Sequence, residues 1–175
     1  MQKYKINSQI IDLIEHWFGI SSIQVKWNNT LSKSVKLSSG VRQGSLLSPL
    51  LFAAYVDILL TEIEKSKRGC FIKGQCLNSF LYADDLILIS ISIMDLQFLI
   101  ERSCEILNSL DLQINFEKSV CLRIGMRFRV VCKEITINGH SIKWASEAKY
   151  LGIIIKAGVH FSCNWHSTKC IFLNR

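Results

Sequence analysis

The chain has 175 residues, of which 49% are hydrophobic and 20% charged, and it contains a single proline. This composition excludes a disordered or low-complexity protein and is sufficient for one domain with a buried core. Lysine and arginine number 21 against 14 acidic residues, and the formal net charge of +7 favours a polyanionic partner such as nucleic acid. The alternative is a basic protein whose charge serves only solubility.

The cysteines and the apolar stretches indicate the compartment. Seven cysteines form no CxxC pair, and the chain opens without a charged-then-apolar leader. We therefore expect reduced thiols and an intracellular protein, nuclear or cytoplasmic and not secreted. The longest apolar stretch, LLSPLLFAAYVDILL, is too short to span a bilayer and contains Pro49 and Asp57, so no membrane segment is predicted.

The first third of the chain predicts two helices around a hairpin. QIIDLIEHWF has apolar residues at helical spacing and predicts an amphipathic helix that begins near Ser8 and ends at Gly19. Residues 23–38 alternate apolar and polar positions around NNT, which predicts a hairpin. The stretch PLLFAAYVDILLTEIEKSK predicts a helix with Ser48 as N-cap, whose nearly all-apolar early turns are expected to be buried.

The central third contains two adjacent carboxylates in an apolar run, FLYADDLIL. CFIKG, CLNSFLYA and LILISIS are predicted strands, and the last two flank Asp84 and Asp85 as the arms of a hairpin. Apolar residues on both sides indicate buried flanks. Because burying two neighbouring carboxylates is costly, the pair requires a turn that exposes it, a bound cation, or both.

The last third predicts a surface helix followed by short strands. MDLQFLIERSCEILNSLD places its leucines and isoleucines on one face, as in a helix packed on a sheet. SVCLRIG and YLGIIIK are predicted strands, and Asn138-Gly139 in EITINGHSIKW predicts a two-residue hairpin turn. Because helices and strands are segregated in the chain instead of strictly alternating, the predicted class is α+β.

Four segments in order carry a family resemblance: GVRQGSLLSPLLF, FLYADDLIL, LQINFEKS and KYLGIII. With these motifs the chain resembles the reverse transcriptase of a non-LTR (LINE-type) retrotransposon over about residues 10–165. The resemblance implies a fragment of a right-hand polymerase palm, an antiparallel sheet with helices packed on one face and a catalytic β-hairpin. Residues 1–156 would form the partial palm, and residues 157–175 the start of a thumb or a frayed tail.

The resemblance also implies the catalytic residues. Asp84 and Asp85 correspond to the metal-binding carboxylates, and adjacent carboxylates at a hairpin tip supply the oxygen ligands that Mg²⁺ or Mn²⁺ prefers. Lys118, in LQINFEKS, matches the family lysine near the triphosphate. Without the resemblance, a solvated acidic turn and an ordinary surface lysine would explain the same residues.

Two further motifs match nucleic-acid contacts of the family. Arg42, Gln43 and Gly44 in GVRQGS resemble the loop that contacts template and incoming nucleotide, and Leu46 stands where the family usually has proline. Tyr150, Leu151 and Gly152 resemble the family's strand that grips the primer, although this sequence is equally typical of a plain core strand.

The implied function is that of an RNA-directed DNA polymerase that uses an RNA template, a DNA primer and deoxynucleoside triphosphates. The family's third carboxylate is expected on a strand upstream of the first helix, and Asp12 cannot replace it because Asp12 lies within that helix. We therefore expect these 175 residues to be inactive alone and to associate through an exposed sheet edge. The alternative is an inactive, truncated remnant that at most binds nucleic acid through its basic face.

Four metal-ligating side chains near the C-terminus suggest a second metal site. Its ligands would be His160, Cys163, His166 and Cys170, whose side chains suit Zn²⁺. Their spacing does not match the C-x₂-C…H zinc knuckle that some retroelements carry.

Overall fold

The computed structural model describes residues 5–37, 40–41 and 44–164. Within them it has three helices, α1 (Ser8–Gly19), α2 (Ser48–Lys65) and α3 (Ile93–Ser109). The short strands of the described chain are β1 (Ser22–Ile23), β2 (Lys26–Trp27), β3 (Thr30–Leu31), β4 (Val35–Lys36), β5 (Cys70–Ile72), β6 (Gln75–Leu77), β7 (Ser79–Tyr82), β8 (Asp85–Leu88), β9 (Ile135–Ile137), β10 (His140–Ile142), β11 (Glu147–Tyr150), β12 (Ile153–Lys156) and β13 (Ser162–Asn164). Helices and antiparallel strands thus occur together, as predicted.

The chain divides into two units, residues 1–55 and 56–175, and α2 crosses the division. In the first unit, Asn7 caps α1 because its side-chain oxygen accepts a hydrogen bond from the Gln9 N–H at 2.9 Å. The expected hairpin over 23–38 forms as two nested ladders, β1 with β4 and β2 with β3. Its innermost turn contains Asn28 at φ 52°.

The early turns of α2 were predicted to be buried, but they are more exposed than that prediction requires. Leu50 is 68% exposed and Tyr55 48% exposed, whereas Val56, Leu59 and Ile63 further along the helix are buried. A nearly all-apolar sequence indicates only that a helix can be covered on every side. In the described part of the chain neither end of α2 is covered on every side: Leu51 is half-buried in the early turns, and Ile58 is 48% exposed in the later ones.

The core of the second unit lies on two sides of α3, which is broader than the single apolar face predicted for this helix. Leu99 and Ile106 of α3 pack with Leu59 and Ile63 of α2. On the other side, a second cluster joins α3 to the segments after it, and its buried members are Ile100, Cys104, Cys121, Ile135, Ile137 and Ile142. Helix α3 is therefore the element that holds this unit together.

The predicted palm sheet is divided into smaller sheets. The described strands form five two-stranded sheets and one three-stranded sheet, β11–β12–β13, all with antiparallel pairing. Strand β13 lies beyond residue 156 and pairs with β12.

Several predicted strands are wrong in detail. CLNSFLYA is not one strand, because β6 ends at Leu77 and β7 begins at Ser79, and LILISIS is a strand only as far as Leu88. SVCLRIG makes only isolated parallel bridges, from Cys121 to Trp144 and from Ile124 to Gly158, because each of its ends meets a different segment. YLGIIIK is not one strand: Tyr150 ends β11 and Ile153 begins β12. Between them lies a two-residue turn.

The structure also bears on the predictions about membrane segments and cysteines. No helix in the described residues is long and apolar enough to cross a membrane. The six cysteines of the described chain are all free thiols.

Candidate active site

Asp84 and Asp85 lie where β7 turns into β8, and we refer to this pair of strands as the DD hairpin. The two strands pair antiparallel from Ser79 opposite Leu88 to Tyr82 opposite Asp85, which confirms the predicted hairpin. Ala83 and Asp84 form the turn, and Ala83 has φ 51°. An alanine in this left-handed region is uncommon and costs free energy, so the surrounding hairpin must hold it there. Asp84 therefore occupies the tip, and Asp85 is the first residue of β8.

The hairpin carries apolar side chains on both faces, and one face is better covered than the other. Leu86 and Leu88 of β8 pack against the two hydrophobic clusters around α3. Phe80 and Tyr82, on the opposite face of β7, are 48% and 63% exposed. The prediction of buried flanks is therefore wrong for this second face. An alternating strand shows one face to the core, but its sequence does not say whether the other face is covered.

Both carboxylates are exposed and available to a cation. Neither Asp84 nor Asp85 forms an ion pair with another described residue. Two adjacent carboxylates at an exposed tip are a suitable donor set for Mg²⁺ or Mn²⁺. No third His, Cys, Asp or Glu joins them in the part of the chain that the structure describes.

Asn78 anchors the base of this hairpin, and sequence reasoning missed it. It is only 3% exposed, and its Nδ2 donates to the Ile63 carbonyl at the end of α2 at 2.9 Å. The main-chain carbonyl of Asn78 accepts a hydrogen bond from the Ile89 N–H at 2.8 Å, which continues the β7–β8 pairing by one more bond. The sequence does show one asparagine between two apolar strands. Such an amide, if buried, must find hydrogen-bond partners, and this could have indicated its anchoring role.

Lys118 lies in an exposed turn. Its N–H donates to the Asn115 side-chain oxygen at 3.1 Å. The neighbouring Phe116 stacks on His140, the first residue of β10, with ring centroids 4.0 Å apart and planes 5° from parallel. The ammonium itself is at the surface, as either a triphosphate contact or an ordinary surface lysine would be.

The glycine loop belongs to the first unit. Arg42 and Gln43 lie outside the described residues, and Gly44 is exposed with φ 81°. Glycine suits such a backbone because other residues rarely adopt it. Both ends of the loop reach a shallow cleft in the first unit, which is lined by Trp17, Phe18, Ser21, Leu37, Gly40, Ser45, Ser48 and Leu51. The aromatic residues of α1 were not recognised as neighbours of this loop from the sequence.

Of the predicted primer-grip residues, Tyr150 ends β11 and the other two lie in the turn that follows, which corrects the predicted continuous strand. Leu151 and Gly152 have φ 48° and 82° and join β11 to β12. Leu151 is exposed and Tyr150 is half-buried. The proposed zinc ligands cannot be compared as a set, because His166 and Cys170 lie outside the described residues.

Comparison with known proteins places these motifs in a family. The family described as reverse transcriptase (RNA-dependent DNA polymerase) matches residues 1–155. The chain is 26% identical over 174 residues to the Retrovirus-related Pol polyprotein from type-2 retrotransposable element R2DM of Drosophila melanogaster, covering 94% of this chain and 16% of that protein. It is 27% identical over 160 residues to the Transposon TX1 uncharacterized 149 kDa protein of Xenopus laevis, covering 90% of this chain and 12% of that protein.

A third relative gives the same result. The chain is 25% identical over 167 residues to the Retrovirus-related Pol polyprotein from type-1 retrotransposable element R2 of Nasonia vitripennis, covering 88% of this chain and 16% of that protein. The chain thus spans less than a fifth of the length of these relatives. The predicted resemblance to non-LTR retrotransposon reverse transcriptases is confirmed, and this chain belongs to the reverse transcriptase family.

Proposed function

We propose that this chain is the palm portion of an RNA-directed DNA polymerase, which extends a DNA primer along an RNA template with deoxynucleoside triphosphates. The observation that carries the proposal is the β7–β8 hairpin, whose two-residue turn presents Asp84 and Asp85 together at an exposed tip. Membership of the reverse transcriptase family supports this function over that of an inert remnant.

Asp84 and Asp85 are the proposed ligands of Mg²⁺ or Mn²⁺. The metal, when bound, would neutralise charge on the reacting phosphate and lower the pKa of the primer hydroxyl. The chain's contribution is to fix the two carboxylates: Asp85 by its pairing with Tyr82, and Asp84 by the tight turn. Packing of Leu86 and Leu88 on the core holds the hairpin in place.

The remaining motif residues are assigned supporting roles. Lys118 would neutralise charge on the leaving pyrophosphate or donate a proton to it. Arg42, Gln43 and Gly44 would contact the template and the incoming nucleotide, because a guanidinium, an amide and an open backbone suit phosphates and base edges. Tyr150, Leu151 and Gly152 would contact the primer through the exposed β11–β12 turn.

A chimera tests the proposal in the setting of a full-length relative. Residues 1–155 would replace the matching segment of the Drosophila Pol polyprotein, and primer extension would be measured on an RNA template with Mg²⁺. We expect template-dependent incorporation that is lost in an Asp84→Asn/Asp85→Asn variant. Asp111→Asn removes a carboxylate at an exposed position after α3, so it is the control for loss of a surface carboxylate and should leave incorporation unchanged.

The chain of 175 residues alone is expected to give no extension in the same assay. Nucleotidyl transfer of this kind uses metal ions held between several carboxylates, and the described residues supply only two at the tip. A folded, template-binding chimera whose activity does not depend on Asp84 and Asp85 would contradict the proposal.

A further inference from the structure

A loop in the second unit concentrates positive charge outside the four segments that carry the family resemblance. Residues 123–133, RIGMRFRVVCK, carry four cations and no acidic residue, and we refer to them as the arginine loop. Arg127, Arg129 and Lys133 are exposed. Neither Arg127 nor Arg129 forms an ion pair with another described residue. Their charge is therefore not neutralised within the described chain.

The loop is held in shape by its own hydrogen bonds. The Arg123 guanidinium donates to the Val130 carbonyl at 2.8 Å and contacts the Cys132 thiol, which joins the two ends of the loop. Within it, the Phe128 N–H donates to the Gly125 carbonyl at 3.0 Å. The Gly125 N–H donates to the Gly158 carbonyl at 2.8 Å and ties the loop to the segment after β12. A ligand would therefore meet a largely preformed surface, which reduces the entropic cost of binding.

Apolar side chains are interleaved with these cations. Met126 is 86% exposed and Val131 is 95% exposed. Phe128 is half-buried, and the Arg129 guanidinium lies 5.1 Å from the centre of its ring. Single-stranded nucleic acid offers both matching features, phosphates for the cations and unstacked bases for apolar, aromatic and guanidinium surfaces. A duplex offers mainly its phosphates.

We propose that the arginine loop is a binding site for single-stranded nucleic acid. The site goes beyond the polymerase function proposed above, since it involves neither the DD hairpin nor the glycine loop. Arg127 and Arg129 contact phosphates, and Met126, Phe128 and Val131 provide the surface on which bases lie. Binding is therefore dependent on salt and tolerant of sequence.

Fluorescence anisotropy with a labelled 12-nucleotide RNA of mixed sequence tests this site without any catalytic readout. An Arg127→Gln/Arg129→Gln variant is expected to bind about tenfold more weakly at low salt. The slope of log K against log salt concentration should become about 1.4 less negative, because two phosphate contacts are lost. The matched control is Lys67→Gln/Lys73→Gln, which removes two exposed charges before and within the β5–β6 hairpin and should bind like the unaltered chain.

Further arms separate charge, strandedness and the kind of partner. Arg127→Lys/Arg129→Lys keeps both charges and should bind within about twofold of the unaltered chain, since lysine also contacts phosphate. Equal losses in the Arg→Gln and control variants, or an equal loss in the Arg→Lys variant, would overturn the site. So would equally tight binding of a duplex through the same arginines. Displacement of the RNA by polyglutamate at equal charge concentration would assign the loop to an acidic protein instead.

Discussion

Gln97 on α3 forms two hydrogen bonds with the backbone of a single residue, Thr136, in the middle of β9. The Gln97 Nε2 donates to the Thr136 carbonyl at 3.0 Å, and the Thr136 N–H donates to the Gln97 Oε1 at 2.9 Å. The carboxamide thus pairs with β9 as a neighbouring strand would. Since β9 has β10 on one side only, Gln97 satisfies backbone groups that the strand would otherwise leave unpaired.

Replacing this carboxamide should destabilise the second unit. In Gln97→Leu, both Thr136 backbone groups lose their partner beneath α3, and we expect a loss of about 1–3 kcal/mol in the free energy of unfolding. Urea unfolding followed by circular dichroism measures it. Glu101→Ala removes the exposed group that also accepts from Gln97 Nε2 and serves as control, with an expected change under about 0.5 kcal/mol. Equal stabilities for Gln97→Leu and the control would contradict the role of the pair.

Gly69 should tolerate no side chain, because it packs directly against the anchor of the DD hairpin. A Cβ at Gly69 would lie 2.6 Å from the Asn78 Cβ and 2.9 Å from the Leu77 carbonyl oxygen, with φ at 143°. We expect Gly69→Ala to cost about 3 kcal/mol or more, since both overpacking and backbone strain apply. The matched control is Gly74→Ala, at φ 81° with nothing within 4 Å of a Cβ.

The two glycine variants separate clash from conformation in one unfolding series. Gly74→Ala meets only the backbone penalty and is expected to cost about 1 kcal/mol. A Gly69→Ala chain as stable as Gly74→Ala would show that the contact with Asn78 can relax freely.

Cys121 should make stability fall at alkaline pH. Burial in the cluster beside α3 raises the pKa of its thiol from 9.0 to about 11. Because the folded pKa is raised, the thiol has no effect below about pH 9, where both states are protonated, and costs stability as pH rises toward 11 and the unfolded chain ionises. The loss attributable to this group should approach about 2–3 kcal/mol at the upper end of that window.

The measurement compares unfolding free energies between pH 8 and pH 11 for the unaltered chain and for Cys121→Val. Valine fills a similar volume and cannot titrate, so its stability should fall less steeply over this range. Identical pH profiles would mean that the Cys121 thiol ionises as readily in the folded chain as in the unfolded one.

The open face of the DD hairpin should cause self-association. Sheet β7–β8 has two strands in the described chain, and Phe80 on its outer face is about half exposed. A two-stranded sheet with free edges and an apolar face readily pairs with another copy. We expect concentration-dependent association in sedimentation velocity, reduced in Phe80→Lys and unchanged in Ile91→Lys, which alters an 84% exposed loop residue. A monomer at all concentrations would refute this.

The sequence predicts most reliably those elements that depend on neighbours in the chain. Asn138-Gly139 predicts the β9–β10 turn, and both residues have positive φ, which this dipeptide accepts readily. The turn at Leu151-Gly152 was missed because leucine is no turn signal and the residues on either side, Tyr150 and Ile153, are strand formers.

Features that depend on distant segments could not be predicted. Two β-bridges join residues far apart in the chain, Cys121 to Trp144 and Ile124 to Gly158. The hydrogen bonds between Gln97 and Thr136 do the same. In the candidate site, the motif predicts the Asp84 turn correctly. The exposure of Phe80 and the anchoring role of Asn78 depend on what packs against the hairpin.

Metal binding at the DD tip is the central claim, and nuclear magnetic resonance tests it most directly. Mn²⁺ would be titrated into the isotope-labelled chain while the backbone amide signals are followed. We predict selective broadening of the amides of residues 82–86, absent in Asp84→Asn/Asp85→Asn and retained in Asp111→Asn, with weak affinity because only two carboxylates meet there. Broadening that is absent up to millimolar Mn²⁺, or centred on other residues and unaffected by the double substitution, would contradict the claim.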